Sequence, residues 1–477
     1  MRFPCSIGLL PALLITACGG TDPSPEPEPS TTTTTAPEPE AVEQPAFMTI
    51  VEADRARAAE SSLAFEHVAG LTDGAGPRLA GSPGDALAVA WAVARMTELG
   101  FANVHEEPVT VHAWVRGPSE LQVLAPVPQA IPVAALGGSV GTPSEGLEGE
   151  VLRVESLAAL GALDRAAVEG RIVFVDQRME RARDGHGYGD GVGVRWGAAT
   201  AAGTLGASAV IIRSVGTDDS RFPHTGVMHY EDEGPRIPAA AISNADADVL
   251  GRWIAAGQSV RLRLRLDCTE GGPAASANVV GEVVGTEHPE EIILLGAHLD
   301  SWDLGRGAVD DGAGVAIVIE AARQLLTSET PPLRTVRVVL FANEENGGAG
   351  AAAYLLAHGS ELHQHRLALE ADFGDGAVYA VRTPIDPAAS EAWARLMTLL
   401  EPLSVTRDEG EPHGGADVSP LGEASVPLFD LRQDGTRYFD LHHTANDVLT
   451  EVDADSLRQA AQVAAVVASW ASRDPDF

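Results

Sequence analysis

Three short apolar runs in the second half of the chain each lead straight into acids or a histidine. Residues 291–295 (EIILL) lead to His298, residues 334–341 (RTVRVVLF) to Glu344 and Glu345, and residues 367–369 to Asp372. A run that is aliphatic at nearly every position reads as a strand buried on both faces of a parallel sheet. Open α/β sheets gather their ligands at the carboxyl edge of such strands. The pattern predicts an α/β fold whose mixed, largely parallel sheet is flanked by helices and collects polar chemistry along one edge. Two further motifs join it: AVDDGAG, with Asp310 and Asp311 before a helix over 313–326, and LHHTAND, with His443 and Asp447.

Four carboxylates driven into one crevice would raise one another's pKa unless cations neutralised them. A dinuclear site does so, with a bridging carboxylate between ions roughly 3.5 to 4 Å apart. An oxygen-rich donor set with two imidazoles and no thiolate suits zinc, cobalt or manganese, and zinc is the usual occupant of a catalytic site with an open position. Asp310 is the candidate bridge. Adjacent strand-end glutamates point in different directions, so Glu345 is assigned to metal and Glu344 to proton transfer. Asp300, two residues after His298, is placed to accept that imidazole's other N–H, and Asp447 to do the same near His443.

The chain has 477 residues, 45% of them hydrophobic, enough for two cores and a tail. Its formal charge is −36, and all 32 basic residues are arginine. With no lysine there is no Schiff base, carbamylated-lysine bridge or P-loop lysine. The acidic balance speaks against nucleic acid, whose backbone needs a basic footprint. Residues 1–18 combine Arg2, an apolar run and the sequence LITAC. They read as a bacterial lipoprotein signal with lipid on Cys18, which places the chain across the inner membrane and anchored in the cell envelope. Residues 19–46, rich in Pro, Thr and Glu, read as a disordered tether. With Cys5 lost and Cys18 lipidated, Cys268 stands alone, a structural cysteine with no disulfide partner.

The first core segment, 47–117, should hold a helix over 84–99 and a strand over 101–111. Residues 118–270 change to short strands with Gly and Pro turns, among them 171–175, 209–212 and 260–266. Residues 271–477 return to the core, with a helix over 390–400, a strand over 425–431 and a closing helix over 456–472. Within the insert, the Gly-rich 184–193 (DGHGYGDGVG) reads as a flexible turn. His224 in PHTG either reaches the site or is an ordinary loop histidine. Asp417 in HGGAD lies where a substrate-binding loop would sit. His363 and His365 precede their strand, at the end opposite the site, and are not read as ligands.

The segments GAHLDSWDLGRGAVDDGAG, ANEENGGAGA, EADFG and HHTANDV resemble those of the zinc aminopeptidase superfamily, in particular its carboxypeptidase Q branch. The stretches LTDGAGPRLAGS, GASAVIIRSV, RFPHTGVMHYEDEGPRIPAAAIS and RYFDLHHTAND are similar as well. The ligands from His298 to His443 leave no room for the lid domain that other zinc exopeptidases insert between them. The resemblance implies that 118–270 is a protease-associated domain and that the chain binds two zinc ions. One would be held by His298 and Asp372 and the other by Glu345 and His443, with Asp310 bridging and Glu344 as general base. It also implies an exopeptidase acting on small free peptides, most of all dipeptides, and a homodimer. Asn343 stands where relatives often have Ala, and Val448 where Thr is common. His442 occupies the position that some relatives give to an oxyanion-binding Tyr, and is a candidate substrate contact. The alternatives are an aminopeptidase on longer peptides or a binding module that has kept the fold.

Overall fold

The computed structural model describes residues 45–477. The signal segment with Cys18 and most of the tether lie outside the described residues. Two eight-stranded sheets organise the chain. The core sheet runs, in spatial order, Ala102–Val115, Thr269–Val283, Arg334–Phe341, His288–His298, His365–Glu370, Leu428–Gln433, Val378–Arg382 and Thr406–Arg407. Its four central strands, Arg334–Phe341 through Leu428–Gln433, are mutually parallel, and the flanking pairs are antiparallel except the last. The aliphatic runs that predicted those central strands are buried on both faces, because helices cover both sides of a parallel sheet.

The register sets the site. His298 pairs with Phe341, and Gly296 with Glu370, so three neighbouring parallel strands finish at the same edge. Just beyond that edge stand Glu344, Glu345 and Asp372. The helix Gly312–Leu326 lies almost wholly buried beneath the sheet against the closing helix Ala454–Arg473. Its N-cap is Asp311, whose carboxylate accepts the Gly314 N–H at 3.0 Å, so the AVDDGAG turn starts a helix and presents Asp310 to the strand edge in one step.

The second sheet uses only strands between Ser119 and Leu266, in the order Gln129–Ile131, Ser119–Ala125, Arg261–Leu266, Leu147–Val154, Ile172–Val175, Ala209–Arg213, Ala239–Ile242 and Val133–Ala135. Its hydrophobic core takes in Trp302 from the core loop after His298, and a side chain at Gly137 would collide with that indole. The insert carries more helix than its Gly and Pro content suggested. The flexible turn expected over 184–193 is instead, from Tyr188 on, the start of the 17-residue helix Tyr188–Thr204. A Cβ at Gly191 would sit 2.5 Å from Val215, so this glycine permits close packing, which outweighs its helix cost of about 1 kcal/mol. The strand expected over 425–431 starts later, at Leu428, because Ser425 is left-handed (φ 69°) and Pro427 has no N–H to give a ladder. Cys268 is buried and unpaired, and burial pushes its thiol up to about 11, as suits a structural cysteine.

Arg78, in the turn between the helices Leu63–Ala75 and Pro83–Leu99, is completely buried. Its guanidinium donates to the carbonyl oxygens of Leu299 (2.5 Å), Arg306 (2.7 Å) and Gly307 (2.8 Å), clamping the loop that leads from His298 to Asp310. Replacing it strands those carbonyls away from water. Arg78→Met is expected to lower unfolding stability in urea by about 3 kcal/mol, whereas an exposed arginine such as Arg165 changed to Met should cost well under 1 kcal/mol.

Candidate active site

His298 stands at the end of its strand with both ring nitrogens engaged. Nε2 lies 3.2 Å from Asp310 Oδ1 and 3.5 Å from Asp372 Oδ1. On the other side of Asp310, His443 Nε2 is 3.2 Å from Oδ2, and it is 2.9 Å from Glu345 Oε2. Asp310 thus sits between two imidazoles, one oxygen toward each. Its Oδ2 is buried and makes no hydrogen bond, although a deprotonated carboxylate oxygen removed from water requires a partner. Among the described residues, potential ligand atoms converge within 4.8 Å in three groups: Asp310, His442 and His443; His298, Asp310 and Glu345; and His298, Asp311 and Asp372. The donor set fits one or more divalent cations with Asp310 in the shared position.

Electrostatics point the same way. Burial, with like charge from Asp372, Asp300 and Asp310 and opposed by His298, pushes Glu344 up to about 8. Burial and Asp310 likewise raise Asp447 to about 7. Burial holds His443 down to about 4, so its imidazole is neutral. Its Nδ1 lies 3.2 Å from the Thr225 carbonyl oxygen. Donation there places the proton on Nδ1 and frees the Nε2 lone pair for a cation.

Two expectations about supporting acids need correction. The nearest acceptor to His298 Nδ1 is the Asp300 carbonyl oxygen at 3.1 Å, and the Asp300 carboxylate stands off at 3.7 Å. That carboxylate instead accepts the Glu344 backbone N–H at 3.0 Å and so orients the proposed base. Asp447 does not serve His443; it accepts the N–H groups of Val309 (2.6 Å) and Asp310 (3.2 Å) and holds the bridging residue's backbone. Asp311 uses one oxygen on Gly314 and the other on the His298 N–H.

The candidate substrate contacts separate cleanly. His442 lines a cavity of about 370 Å³ together with Asp310, Glu344, Asp372 and His443, and its ring stacks on His443 at 3.5 Å. His224 crosses from the insert to the site but is spent there: Nδ1 meets the His442 carbonyl oxygen at 2.7 Å and Nε2 meets Asp218 at 2.8 Å. It is a strut under the HHT segment. Asp417 is buried behind the cavity wall, its N–H donated to Glu370 at 2.8 Å, while Gly415 and Ala416 of the same loop form the wall. His365, as expected, is away from the site and bonded to Tyr354.

Sequence reasoning missed Tyr188 and Arg195, which reach the cavity from the insert's helix. The signal existed only as a Tyr and an Arg seven residues apart, two turns of one helix face, in a stretch whose glycines argued against a helix. It also missed Trp302, whose backbone N–H donates to Glu345 Oε1 at 3.1 Å.

Comparison with known proteins gives consistent results. A profile of peptidase family M28 matches residues 278–468. The chain is 35% identical over 407 residues to carboxypeptidase Q of Homo sapiens, a match covering 84% of each chain. Against carboxypeptidase Q of Xenopus laevis it is 34% identical over 405 residues, again 84% of each. The solved structure of a peptidase M28 precursor from Shewanella amazonensis SB2B is similar at a TM-score of 0.88 and 43% identity, covering 90% of this chain and 97% of that one. A zinc aminopeptidase from Bacillus subtilis shares the fold at a TM-score of 0.63 and 21% identity, over 87% and 95%.

Because Glu344, Glu370 and Asp447 have raised pKa values, at about 8, 8 and 7, cation binding to the stripped protein must displace protons near neutrality. Calorimetry of zinc binding at pH 6.5 in buffers of different ionisation enthalpy is expected to show net proton release that diminishes as pH rises through 7 to 8. The same shifts set the sign for folding of the stripped protein. Raised carboxyl groups stabilise it fully below their unfolded values of 3.8 to 4.5, and that contribution is lost as pH rises through 7 to 8. Denaturation midpoints of the stripped protein should therefore fall across this window, and saturating zinc should abolish the fall.

Proposed function

The chain belongs to the carboxypeptidase Q branch of peptidase family M28 and is a metallopeptidase, and on that premise we propose that it hydrolyses small free peptides, above all dipeptides, at a site holding two zinc ions. One observation carries the reading: Asp310 lies between His298 and His443 at 3.2 Å from each, with Glu344 lining the same cavity. His298 and Asp372 would hold one ion, Glu345 and His443 the other, and Asp310 both. Zinc bound there would polarise the scissile carbonyl and make the attacking water more acidic.

The protein's own groups do the rest. Glu344 takes a proton from the attacking water and delivers it to the leaving amine. Its backbone is pinned by Asp300, so the carboxylate meets the cavity from a defined direction. His442, in the same wall and stacked on His443, is available to the carbonyl oxygen as charge develops. The insert, which we take to be a protease-associated domain, closes the cavity with Tyr188 and Arg195. A cavity of about 370 Å³ lies toward the small end of ligand sites and suits a dipeptide. Export and lipid attachment at Cys18, and pairing into a homodimer, belong to the same proposal.

An aminopeptidase acting on longer peptides is the second reading, favoured by the fold shared with the Bacillus subtilis enzyme. A panel of free dipeptides, tripeptides and longer peptides separates the two. The dipeptidase reading expects turnover concentrated on dipeptides, with metal analysis giving about two zinc per chain. Glu344→Gln is expected to bind zinc normally and to lose about 10³-fold in kcat, the scale of general-base removal. Equal turnover along the length series would move the function to aminopeptidase, and no turnover by the zinc-loaded protein would leave a binding module.

A further inference from the structure

We propose that Tyr188, carried into the cavity by the insert, donates its hydroxyl hydrogen to the carbonyl oxygen of the scissile peptide bond as negative charge builds there. That role rests on the hydrolytic reading of Glu344 and the Asp310 centre and is independent of peptide length. Tyr188 opens the insert's helix Tyr188–Thr204 and lines the cavity together with Asp310, Glu344, Glu345 and His443. Its ring is held on two sides. It stacks on Phe439 with centroids 4.7 Å apart and meets His442 edge-on at 5.0 Å. The turn before it is pressed onto the same aromatic group: a Cβ at Gly185, whose φ is 68°, would stand 2.7 Å from Phe439 and 2.8 Å from Phe373. The hydroxyl therefore faces the cavity from a direction fixed before substrate arrives, which is what makes a donor effective on developing charge.

A count of donors and acceptors leaves that hydroxyl hydrogen unclaimed. Arg195 Nη2, 3.1 Å from the phenol oxygen, can only donate to it. The second neighbour is His442 Nε2 at 3.3 Å, and the direction of this bond follows from the other ring nitrogen. His442 Nδ1 is buried and has no hydrogen-bond partner. A proton there would be an orphaned donor, which costs more than an unused lone pair, so the ring carries its proton on Nε2. Asp310 Oδ2, at 3.6 Å, is beyond hydrogen-bond range of that nitrogen. The Nε2–H therefore donates to Tyr188. The phenol oxygen thus accepts twice, and its own O–H has no acceptor among the described residues. Burial pushes the phenol up to about 12 against the pull of Arg195, so it remains a hydroxyl at neutral pH.

Position agrees with that count. The phenol oxygen and Asp310 Oδ2 are both neighbours of one ring nitrogen, His442 Nε2, at 3.3 Å and 3.6 Å. A carbonyl oxygen seated at the Asp310 centre is then within reach of an ordinary hydrogen bond, about 2.7 Å long, from the phenol. The two acceptances also strengthen the donor. N–H groups from an imidazole and a guanidinium draw electron density from the phenol oxygen, and the bond its hydrogen makes becomes stronger for it. His442 and Arg195 thereby bear on the developing charge through the phenol. The two sides of the cavity divide the chemistry: Glu344, from the core, moves the proton, and Tyr188, from the insert, receives the charge.

The test uses zinc-loaded protein with Ala-Ala as substrate and its phosphinic isostere, whose tetrahedral, charged phosphinate replaces the scissile amide. Tyr188→Phe removes the hydroxyl and keeps the ring. It is expected to lower kcat about 10²- to 10³-fold, with KM and zinc content within about twofold of the unmutated enzyme. Calorimetry should show the phosphinate bound about 10- to 100-fold more weakly, while the affinity for Ala-Ala, measured with Glu344→Gln also in place, is unchanged. A kcat within about threefold of the unmutated enzyme would overturn the assignment. So would loss of zinc, or equal weakening of Ala-Ala and phosphinate, which mere support of Arg195 would give. If Tyr188→Phe folds poorly, a ring-difluorinated tyrosine in place of Tyr188 carries the test. Its more acidic hydroxyl should move the alkaline fall of kcat to lower pH, and an unmoved fall would overturn the role. No turnover of any peptide by the unmutated protein would sink the hydrolytic reading and Tyr188 with it. Turnover indifferent to peptide length would sink the dipeptidase reading alone, while kcat and the phosphinate affinity still decide Tyr188.

Discussion

The structure is organised around a charge that the protein cannot neutralise alone. Asp310, Glu344, Glu345, Asp372 and Asp300 converge at one sheet edge with His298 and His443 among them. Burial raises Glu344 to about 8, so at neutral pH the site resists full ionisation. Everything nearby keeps those groups in place despite their repulsion. Parallel register delivers three strand ends to one line, Arg78 clamps the loop before Asp310, and Asp447 grips the Val309 and Asp310 N–H groups. Divalent cations convert this stored repulsion into binding energy, which explains how one cluster can serve both as a structural liability and as a reaction centre.

The insert is coupled to the core by contacts that end at the site. Trp302 plants its side chain in the insert's hydrophobic core while its backbone N–H holds Glu345. Arg116 pairs with Asp303 and lies over the rings of Trp114 and Trp302. In the other direction, Thr225 reaches back to His443 through both its N–H and its carbonyl oxygen. Two metal-ligand candidates are therefore oriented through the junction between the two sheets. Displacement of the insert would loosen Glu345 and His443 together, which makes the insert a working part of the site.

How much of this was legible beforehand differs by element. The central strands were readable because burial on both faces leaves an uninterrupted aliphatic run, and the acids that follow mark where each strand leaves the sheet. The helix 188–204 was not, because Gly189, Gly191 and Gly193 lower local helix propensity, and only packing against Val215 and its neighbours reveals why they are tolerated. Asp300 and Asp447 were correctly drawn to the site's vicinity, yet their partners were misassigned. Sequence spacing gives distance along the chain, whereas a carboxylate's partner depends on which backbone N–H the fold turns toward it.

From sequence alone, the identities and order of the acids and histidines, the α/β class and the family resemblance could be read, because strand burial and metal chemistry each constrain residue types locally. Tertiary structure decided what those residues face. It set Asp310 between two imidazoles contributed by segments over a hundred residues apart, turned His224 from a candidate contact into a strut, and brought Arg195 from the insert to the cavity. The physical reason is that a ligand set or a recognition pocket is a property of convergence in space. Pairwise distances between remote segments follow from the packing of two sheets, and no local pattern in the chain encodes them.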